Sequence, residues 1–489
     1  MNKLTKFAFV ALIFFAVSTT MQAALKHTYT NSDEWTIYDA FHKVFWDNTK
    51  RNYKADTKQP YADHRGNGFR DGDTSGCSAA IWCQAIYFDM VVNAYKRAMQ
   101  DPNMKTLTKT RYKNQMTNIY AGEKAHYVNF NFDNNNINNG WFVYDDIMWW
   151  TCALARAYEA SMLEGRPNET FLKESEKSFC RVFYGSKKVG DDGSYAGTSK
   201  GFSGGMFWEW QPINNPKPHT DNSFKAACIN FPTVIACCQL YNVVPKDRVA
   251  PTVDYPTYQT KDFYLEKAKE IYAWAVEHFT SAAFPGRIAD GIHGGGPEYN
   301  DHVYNQATFI GASCLLYLIT GEKEYLYNAR LGADYVKNKM SRTATGVDPL
   351  GAAGRGARII RFENGYEQGV YHAIFAQYMK LLVYDCEQTD YLNWIKDNIE
   401  YGFQTCDKSR NIQDADFLKT CTDDGVVDSY GGSALPALML MFPAAEATGI
   451  KTIETTSNSK KKRLYTIDGR AISMVQHGLY IKDGKKFVK

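Results

Sequence analysis

The chain has 489 residues, a formal net charge of +3 and an aromatic content of 15%. The nearly balanced charge gives no bias towards nucleic acid or an anionic membrane surface, so we expect no nucleic-acid partner. The length is compatible with one large domain.

The first 24 residues have the pattern of an export signal. Lys3 and Lys6 precede an apolar run from Phe7 to Val17, and Ala23 or Ala24 offers a small residue for cleavage. The run is too short to span a membrane comfortably, and no other stretch is long and apolar enough. We expect an exported protein, periplasmic, on the cell surface or secreted, without a membrane span.

The eleven cysteines are an odd number, and most lie in apolar runs with a helical pattern. They are typical of small core residues rather than of a disulfide framework. Cys406 and Cys421 flank a loop and could bridge, but we do not predict a disulfide there. No cysteine and histidine spacing matches a zinc site, so we expect no metal and no cofactor.

Two kinds of predicted helix alternate along the chain. Amphipathic, charged segments predict helices with one solvent-facing side; they are residues 33–48, 104–127, 169–183, 262–279, 323–340 and 390–404. Segments that are apolar nearly all round predict fully buried helices; they are residues 77–95, 142–158, 224–241, 304–319, 366–383 and 433–442. Six outer and six inner helices in strict alternation predict an all-α (α/α)6 barrel.

A polar loop rich in acids, amides, aromatics or glycine precedes each predicted inner helix. The six loops are residues 71–76, 138–141, 219–223, 299–302, 361–365 and 423–432. If the inner helices run parallel, all six loops lie at one end of the barrel. Their side chains then converge on one cleft, which is where binding groups are expected. Ordinary capped loops would explain any one of them but not all six as well.

Asp145 and Asp146 stand side by side at the start of the second predicted inner helix, with aromatic residues before and after them. Such a pair suits glycoside hydrolysis, in which one carboxylic acid protonates the leaving oxygen and a second carboxylate attacks the sugar or activates water. Adjacent positions favour the short carboxyl separation of retaining enzymes. The alternative is that the helix dipole alone favours two acids in a first turn.

The character of the chain changes after residue 448. Residues 449–463 are polar and basic and predict a linker after a helical domain of residues 25–448. Residues 464–489 predict a short β-rich tail, with turn signals at Asp468-Gly469 and Asp483-Gly484. This tail has too few strands for a deep core of its own.

The helical part resembles glycoside hydrolase family 76, the α-1,6-mannanases. The resemblance is carried by Tyr144-Asp145-Asp146 with Trp149, by Gly204-Gly205 with Trp208, by Tyr304-Asn305-Gln306 with Gly311, and by Thr320-Gly321-Glu322. Residues 371–381 resemble a later inner helix of that family. The tail is similar to the C-terminal sorting tails of Bacteroidetes export substrates.

The resemblance implies a retaining hydrolase of α-1,6-linked mannan, with Asp145 as nucleophile and Asp146 as acid/base. We expect it to be endo-acting and to be a monomer. It also implies substrate contacts, which are Asp73, Tyr144, Trp208, Asp290, Asn305, Gln306 and Glu367. Ala307 and the Phe207-Trp208 pair depart from the family pattern and predict a different subsite shape.

Two other interpretations use the same barrel. One is a glycan-binding protein that has lost catalysis, against which the retained acid pair argues. The other is an epimerase or an unsaturated uronyl hydrolase, which would need a catalytic histidine or a uronate-binding arginine cluster. The loops before the inner helices supply mostly acids and amides instead.

Overall fold

The structure, a computed structural model, describes residues 25–57, 78–136, 139–165, 167–187, 204–214, 224–293, 296–363, 367–422 and 425–444. In the tail it describes the backbone of four short strands. The predicted export signal, the linker and the loops at 71–76 and 219–223 lie outside these residues.

Twelve helices of eight or more residues account for most of the described chain. They are α1 Asn31–Phe45, α2 Ile81–Gln100, α3 Thr106–His126, α4 Tyr144–Ser161, α5 Glu169–Lys187, α6 Ala227–Val243, α7 Lys261–Phe279, α8 Val303–Thr320, α9 Lys323–Lys339, α10 Tyr371–Lys380, α11 Leu392–Thr405 and α12 Ala434–Met441. Shorter turns lie at Met162–Glu164, Gly351–Gly354, Glu367–Val370, Leu381–Asp385, Thr389–Tyr391 and Ser429–Gly432.

The even-numbered helices form a closed ring. Each packs against the next from α2 to α12, and α12 packs back against α2. The odd-numbered helices lie outside, and α3, α5, α7 and α9 each cover the inner helix that precedes them in sequence. This arrangement confirms the predicted (α/α)6 barrel.

Burial explains the two helix classes. In α6 every residue from Ala227 to Cys238 is buried, whereas α3 buries only one side of its surface. A helix that is apolar all round is stable only when other helices surround it, and an amphipathic one can cover the outside. Local signals set some ends: Thr30 and Asp33 form a reciprocal capping box at the start of α1.

The strands are short and lie between helices or in the tail. They are β1 Trp46–Asp47, β2 Asn52–Tyr53, β3 Lys225–Ala226, β4 Gly291–His293, β5 Gly296–Glu298, β6 Ser341–Thr343, β7 Arg358–Ile360, β8 Leu464–Thr466, β9 Ala471–Ile472, β10 Leu479–Lys482 and β11 Lys485–Val488. Strands β3, β4 and β5 form one antiparallel sheet, and β8 to β11 form another. Lys482 pairs with Lys485 in the tail, and the predicted turns at Asp468-Gly469 and Asp483-Gly484 lie outside the described residues.

The ten cysteines among the described residues are all free, and nine of them are buried. Cys406 and Cys421 do not bridge, so the chain holds its loops there by other contacts. The Cys421 amide, for example, donates to the Thr405 carbonyl at 2.8 Å. No helix within the described ranges is long and apolar enough to cross a membrane.

Candidate active site

Four aromatic rings from four inner helices meet at one end of the barrel. Trp82 and Tyr304 are the second residues of α2 and α8, Tyr371 is the first of α10, and Trp149 is the sixth of α4. Tyr304 and Tyr371 stack with centroids 4.1 Å apart, and Trp149 lies 6.4 Å from Tyr304 and 6.1 Å from Trp82. The starts of the inner helices therefore share one end, as the loop composition predicts, and these rings form the floor of its mouth.

The acid pair lies in the first turn of α4 at this mouth. Val143 is extended, and helix α4 starts at Tyr144, so Asp145 and Asp146 are its second and third residues. A segment at Trp208–Trp210 runs alongside: the Tyr144 amide donates to the Trp208 carbonyl at 2.8 Å, and the Trp210 amide donates to the Phe142 carbonyl at 3.0 Å. This pairing holds Trp208 beside the acids.

Burial raises the pKa of Asp145 to about 6. The Cys228 thiol and the Trp208 indole lie close enough to lower that pKa in part. Yet among the described residues neither Asp145 Oδ1 nor Trp208 Nε1 has a hydrogen bond of good geometry, although both atoms are buried. The site thus holds a carboxyl that is half protonated near pH 6 and retains unused hydrogen-bonding capacity.

Cys228 and Tyr304 join this site, although neither was among the predicted site residues. Tyr304 belongs to the Tyr304-Asn305-Gln306 motif, whereas nothing in the sequence position of Cys228 signals it. Cys228 is the second residue of α6, and its thiol lies against Asp145, Asp290 and Tyr304; burial, followed by the charges of the two aspartates, raises its pKa well above the usual range. A thiol kept protonated in this way is a donor for Asp145 rather than a nucleophile.

Asp290 lies next to this group and is held by amides. Asn305 Nδ2 donates to Asp290 Oδ1 at 2.8 Å, and Asn300 Nδ2 donates to Oδ2 at 3.2 Å. The Asp290 carbonyl accepts from the Ala227 amide at 2.8 Å at the start of α6. The structure therefore brings the predicted residues Asp290 and Asn305 together at the mouth, close to Cys228.

Glu367 lies on the other side of the aromatic floor. Trp82 Nε1 donates to Glu367 Oε2 at 2.8 Å, which ties the loop before α10 to the start of α2. Nearby, Glu363 accepts from the Val303 amide at 2.8 Å and so caps α8. Burial lowers the pKa of His302, but its contact with Glu363 outweighs this and raises it overall.

Two residues predicted to bind substrate have hydrogen-bond partners within the protein. The Tyr144 ring is fully buried, and its hydroxyl accepts from the Gln211 amide at 3.1 Å. Gln306 is fully buried and accepts from the Ile288 amide at 3.0 Å. These bonds give each buried polar group the partner that it needs, and the contact of either residue with substrate stays a prediction. Asp73 lies outside the described residues.

Two glycines shape the loop that carries Trp208. Gly204 and Gly205 have φ of 90° and 68°, which favour glycine, and a Cβ on Gly205 would lie 2.4 Å from the Trp274 ring. The Gly204 carbonyl accepts from the buried Lys225 ammonium. Within the described residues no cluster of histidine, cysteine and acidic side chains is arranged to hold a metal ion.

Similar solved structures share this fold. The family 76 mannosidase Bt3792 from Bacteroides thetaiotaomicron VPI-5482 is 15% identical with a TM-score of 0.62, over 84% of this chain and 96% of that one. The α-1,6-mannanase of Salegentibacter sp. HEL1_6 is 18% identical with a TM-score of 0.59, over 84% and 98%. An inactive variant of it, with two consecutive aspartates changed to asparagine, matches equally well and holds α-1,6-mannotriose.

No curated protein matches the chain in sequence. A family model, however, that of glycosyl hydrolase family 76, matches residues 29–443, which include every helix of the barrel and the acid pair. The chain therefore belongs to glycoside hydrolase family 76 and is a glycoside hydrolase.

Proposed function

We propose that the protein cleaves α-1,6-mannosidic linkages within α-mannan and retains the anomeric configuration. The observation that supports this most is the pair of consecutive aspartates at the mouth of α4, beside an aromatic floor. Consecutive aspartates are also the residues replaced in the inactive Salegentibacter variant that holds α-1,6-mannotriose. Endo action, which we expect from the sequence, is part of the proposal.

The proposed reaction has two displacements. Asp145 attacks the anomeric carbon while Asp146 donates a proton to the leaving oxygen; Asp146 then takes a proton from the water that releases the sugar. The floor formed by Trp149, Tyr304 and Tyr371 offers ring faces for a sugar to pack on. Asp290 and Asn305 offer an acceptor and a carboxamide for its hydroxyls.

The product profile on debranched and intact α-mannan tests the linkage and the mode of attack. We expect a ladder of mannooligosaccharides. NMR spectra should show that the first product has the α configuration at its new reducing end. A first product in the β configuration would contradict retention. Mannose as the only early product would contradict endo action.

The pH profile tests the role of Asp145. As nucleophile it must be ionised, so we expect kcat/KM to fall below an apparent pKa of about 6. Because the Cys228 thiol lowers the pKa of Asp145, Cys228→Ala should move this acidic limb to higher pH.

Cys228→Ser is the matched control, since a hydroxyl also donates to a carboxylate and should keep the limb closer to its original position. A profile that instead falls above about pH 6 would mean that Asp145 acts in its protonated form. The roles of the two aspartates would then be exchanged.

We also propose that residues 1–24 direct export, on the strength of the sequence pattern alone. Mass spectrometry of the protein isolated from its host should give a mature N-terminus after Ala23 or Ala24. A retained Met1 would contradict the proposal.

A further inference from the structure

A second groove lies on the flank of the barrel, between outer helices α1 and α3. It is lined by residues of the C-terminal half of α1, of β1 and of the solvent-facing side of α3, and it shares no lining residue with the acid pair or the aromatic floor. An open polar groove of this kind carries no function by itself. This one combines an aromatic ring held in place with a row of exposed neutral polar side chains.

The first part is an aromatic platform. Trp46 is partly exposed in the groove and stacks on His42, with centroids 5.0 Å apart and ring planes at 25°. Its Nε1 donates to Asn48 Oδ1 at 2.8 Å, and its ring centroid lies 5.4 Å from that of Tyr53 in a T-shaped contact, so the ring is held in one orientation. Burial, followed by the charge of Arg111, lowers the pKa of His42 to about 4, so the stack is uncharged at neutral pH.

The second part is a stripe of neutral polar side chains on α3. Thr110, Asn114 and Asn118 are spaced four residues apart and therefore lie along one face of the helix. All three are exposed, and within the part of the chain that the structure describes their side chains bond to no other residue. They leave a hydroxyl and two carboxamides available to a ligand.

The charges in the groove nearly cancel. Arg111 donates to Asp39 at 2.8 Å, which leaves Lys43 as the one positive charge beyond that pair among the lining residues. One cation is too little to hold an anionic polymer, and the groove has no apolar surface wide enough for a protein helix. A ring held in place beside carboxamides and a hydroxyl suits a neutral polyhydroxylated chain. Such a chain can stack on the ring and form hydrogen bonds with the carboxamides and the hydroxyl.

We propose that this groove is a second carbohydrate-binding site, which holds a remote stretch of the polysaccharide while the mouth of the barrel cleaves another. The inference rests on the proposed function for the identity of the polymer, an α-mannan. A second attachment raises the effective concentration of chain at the active site, and it acts only on substrates long enough to reach both.

The test compares a long and a short substrate. Trp46→Ala should lower kcat/KM on debranched α-mannan roughly three- to tenfold, since stacking on one ring is worth that much in affinity. It should leave kcat/KM on α-1,6-mannotetraose within about twofold of wild type. In affinity electrophoresis through α-mannan, Trp46→Ala in an inactive Asp146→Asn background should migrate faster than Asp146→Asn alone.

Two further variants guard the interpretation. Asn114→Ala with Asn118→Ala changes only exposed side chains, and it should reproduce the selective loss on polymer. Tyr327→Ala removes an exposed aromatic ring from another outer helix, α9, and should change kcat/KM on neither substrate.

Equal losses of kcat/KM on tetraose and polymer, or no loss on polymer, would overturn the second site. If wild type cleaves neither substrate, the proposed function fails instead, and electrophoresis through α-mannan still decides whether the groove binds it.

Discussion

Asp145→Asn and Asp146→Asn should each lower kcat on α-1,6-mannan by at least about 10³-fold, as expected when a nucleophile or an acid/base is removed. Helical circular dichroism should be unchanged, because an amide fits the space of a carboxylate. Asp262→Asn is the matched control, since Asp262 is the second residue of α7, as Asp145 is of α4, but it is exposed. It should keep full activity, and near wild-type rates in both site variants would refute the assignment.

The same Asp145→Asn variant should be more stable than wild type at neutral pH. The folded pKa of about 6 lies above the reference value of 3.8, so the carboxyl contributes stability below about pH 3.8 that is lost as the pH rises through 6. Above pH 6 the ionised group therefore carries a penalty of at most about 3 kcal/mol, which asparagine removes. Thermal melts at pH 4 and pH 8 should show the gain mainly at pH 8, because at pH 4 the carboxyl is still largely protonated in both the folded and the unfolded chain. An equal gain at both values would mean that it does not come from titration.

The second large effect concerns a buried ion pair between two inner helices. Arg156 on α4 donates to both carboxylate oxygens of Asp89 on α2, through Nε at 2.8 Å and through Nη2. Both side chains are buried. Asp89→Asn leaves the guanidinium buried without its counter-charge, and we expect this to lower the free energy of unfolding by about 3–5 kcal/mol. Urea unfolding followed by circular dichroism measures it.

The same two helices supply a control. Lys96 on α2 pairs with Glu159 on α4 at 3.3 Å, but at the surface. Glu159→Gln should cost no more than about 1 kcal/mol. A double variant, Asp89→Leu with Arg156→Met, should recover most of the stability that Asp89→Asn loses, because no charge then stays buried. Equal costs at the buried and the surface pair would contradict the prediction.

Periodicity predicted the barrel because the distribution of apolar residues within each helix indicates how much of its surface is buried. The start of α2 at Ile81 falls four residues after the predicted one, and α10 starts at Tyr371 because the turn Glu367–Val370 precedes it. The residues just before these two helices have no helical periodicity, so the sequence did not define where each helix begins. The pairing of Lys225-Ala226 with residues 291–292 escaped prediction, since two-residue strands have no pattern of their own.

The site was predicted only where a local pattern marked it. Asp145 and Asp146 are conspicuous as adjacent acids in an aromatic setting, and their place at the mouth follows from their helix. Cys228 and the Tyr304–Tyr371 stack depend on contacts between residues 62 or more positions apart, which spacing along the chain does not encode. Gln306 was assigned to substrate by resemblance, and its bond to Ile288 depends on which way the helix faces.

The ring of inner helices closes only when the last helix packs against the first. Near that seam the Thr28 amide donates to Glu400 at 2.6 Å, and Arg97 pairs with Glu34, whose carboxylate also accepts from the Ala444 amide. A growing chain therefore cannot complete its core before nearly all of the barrel has been synthesised, and folding is postponed to the end of translation. Because the two ends of the domain meet at this seam, a circular permutant that joins them and opens at an outer loop should keep the same architecture.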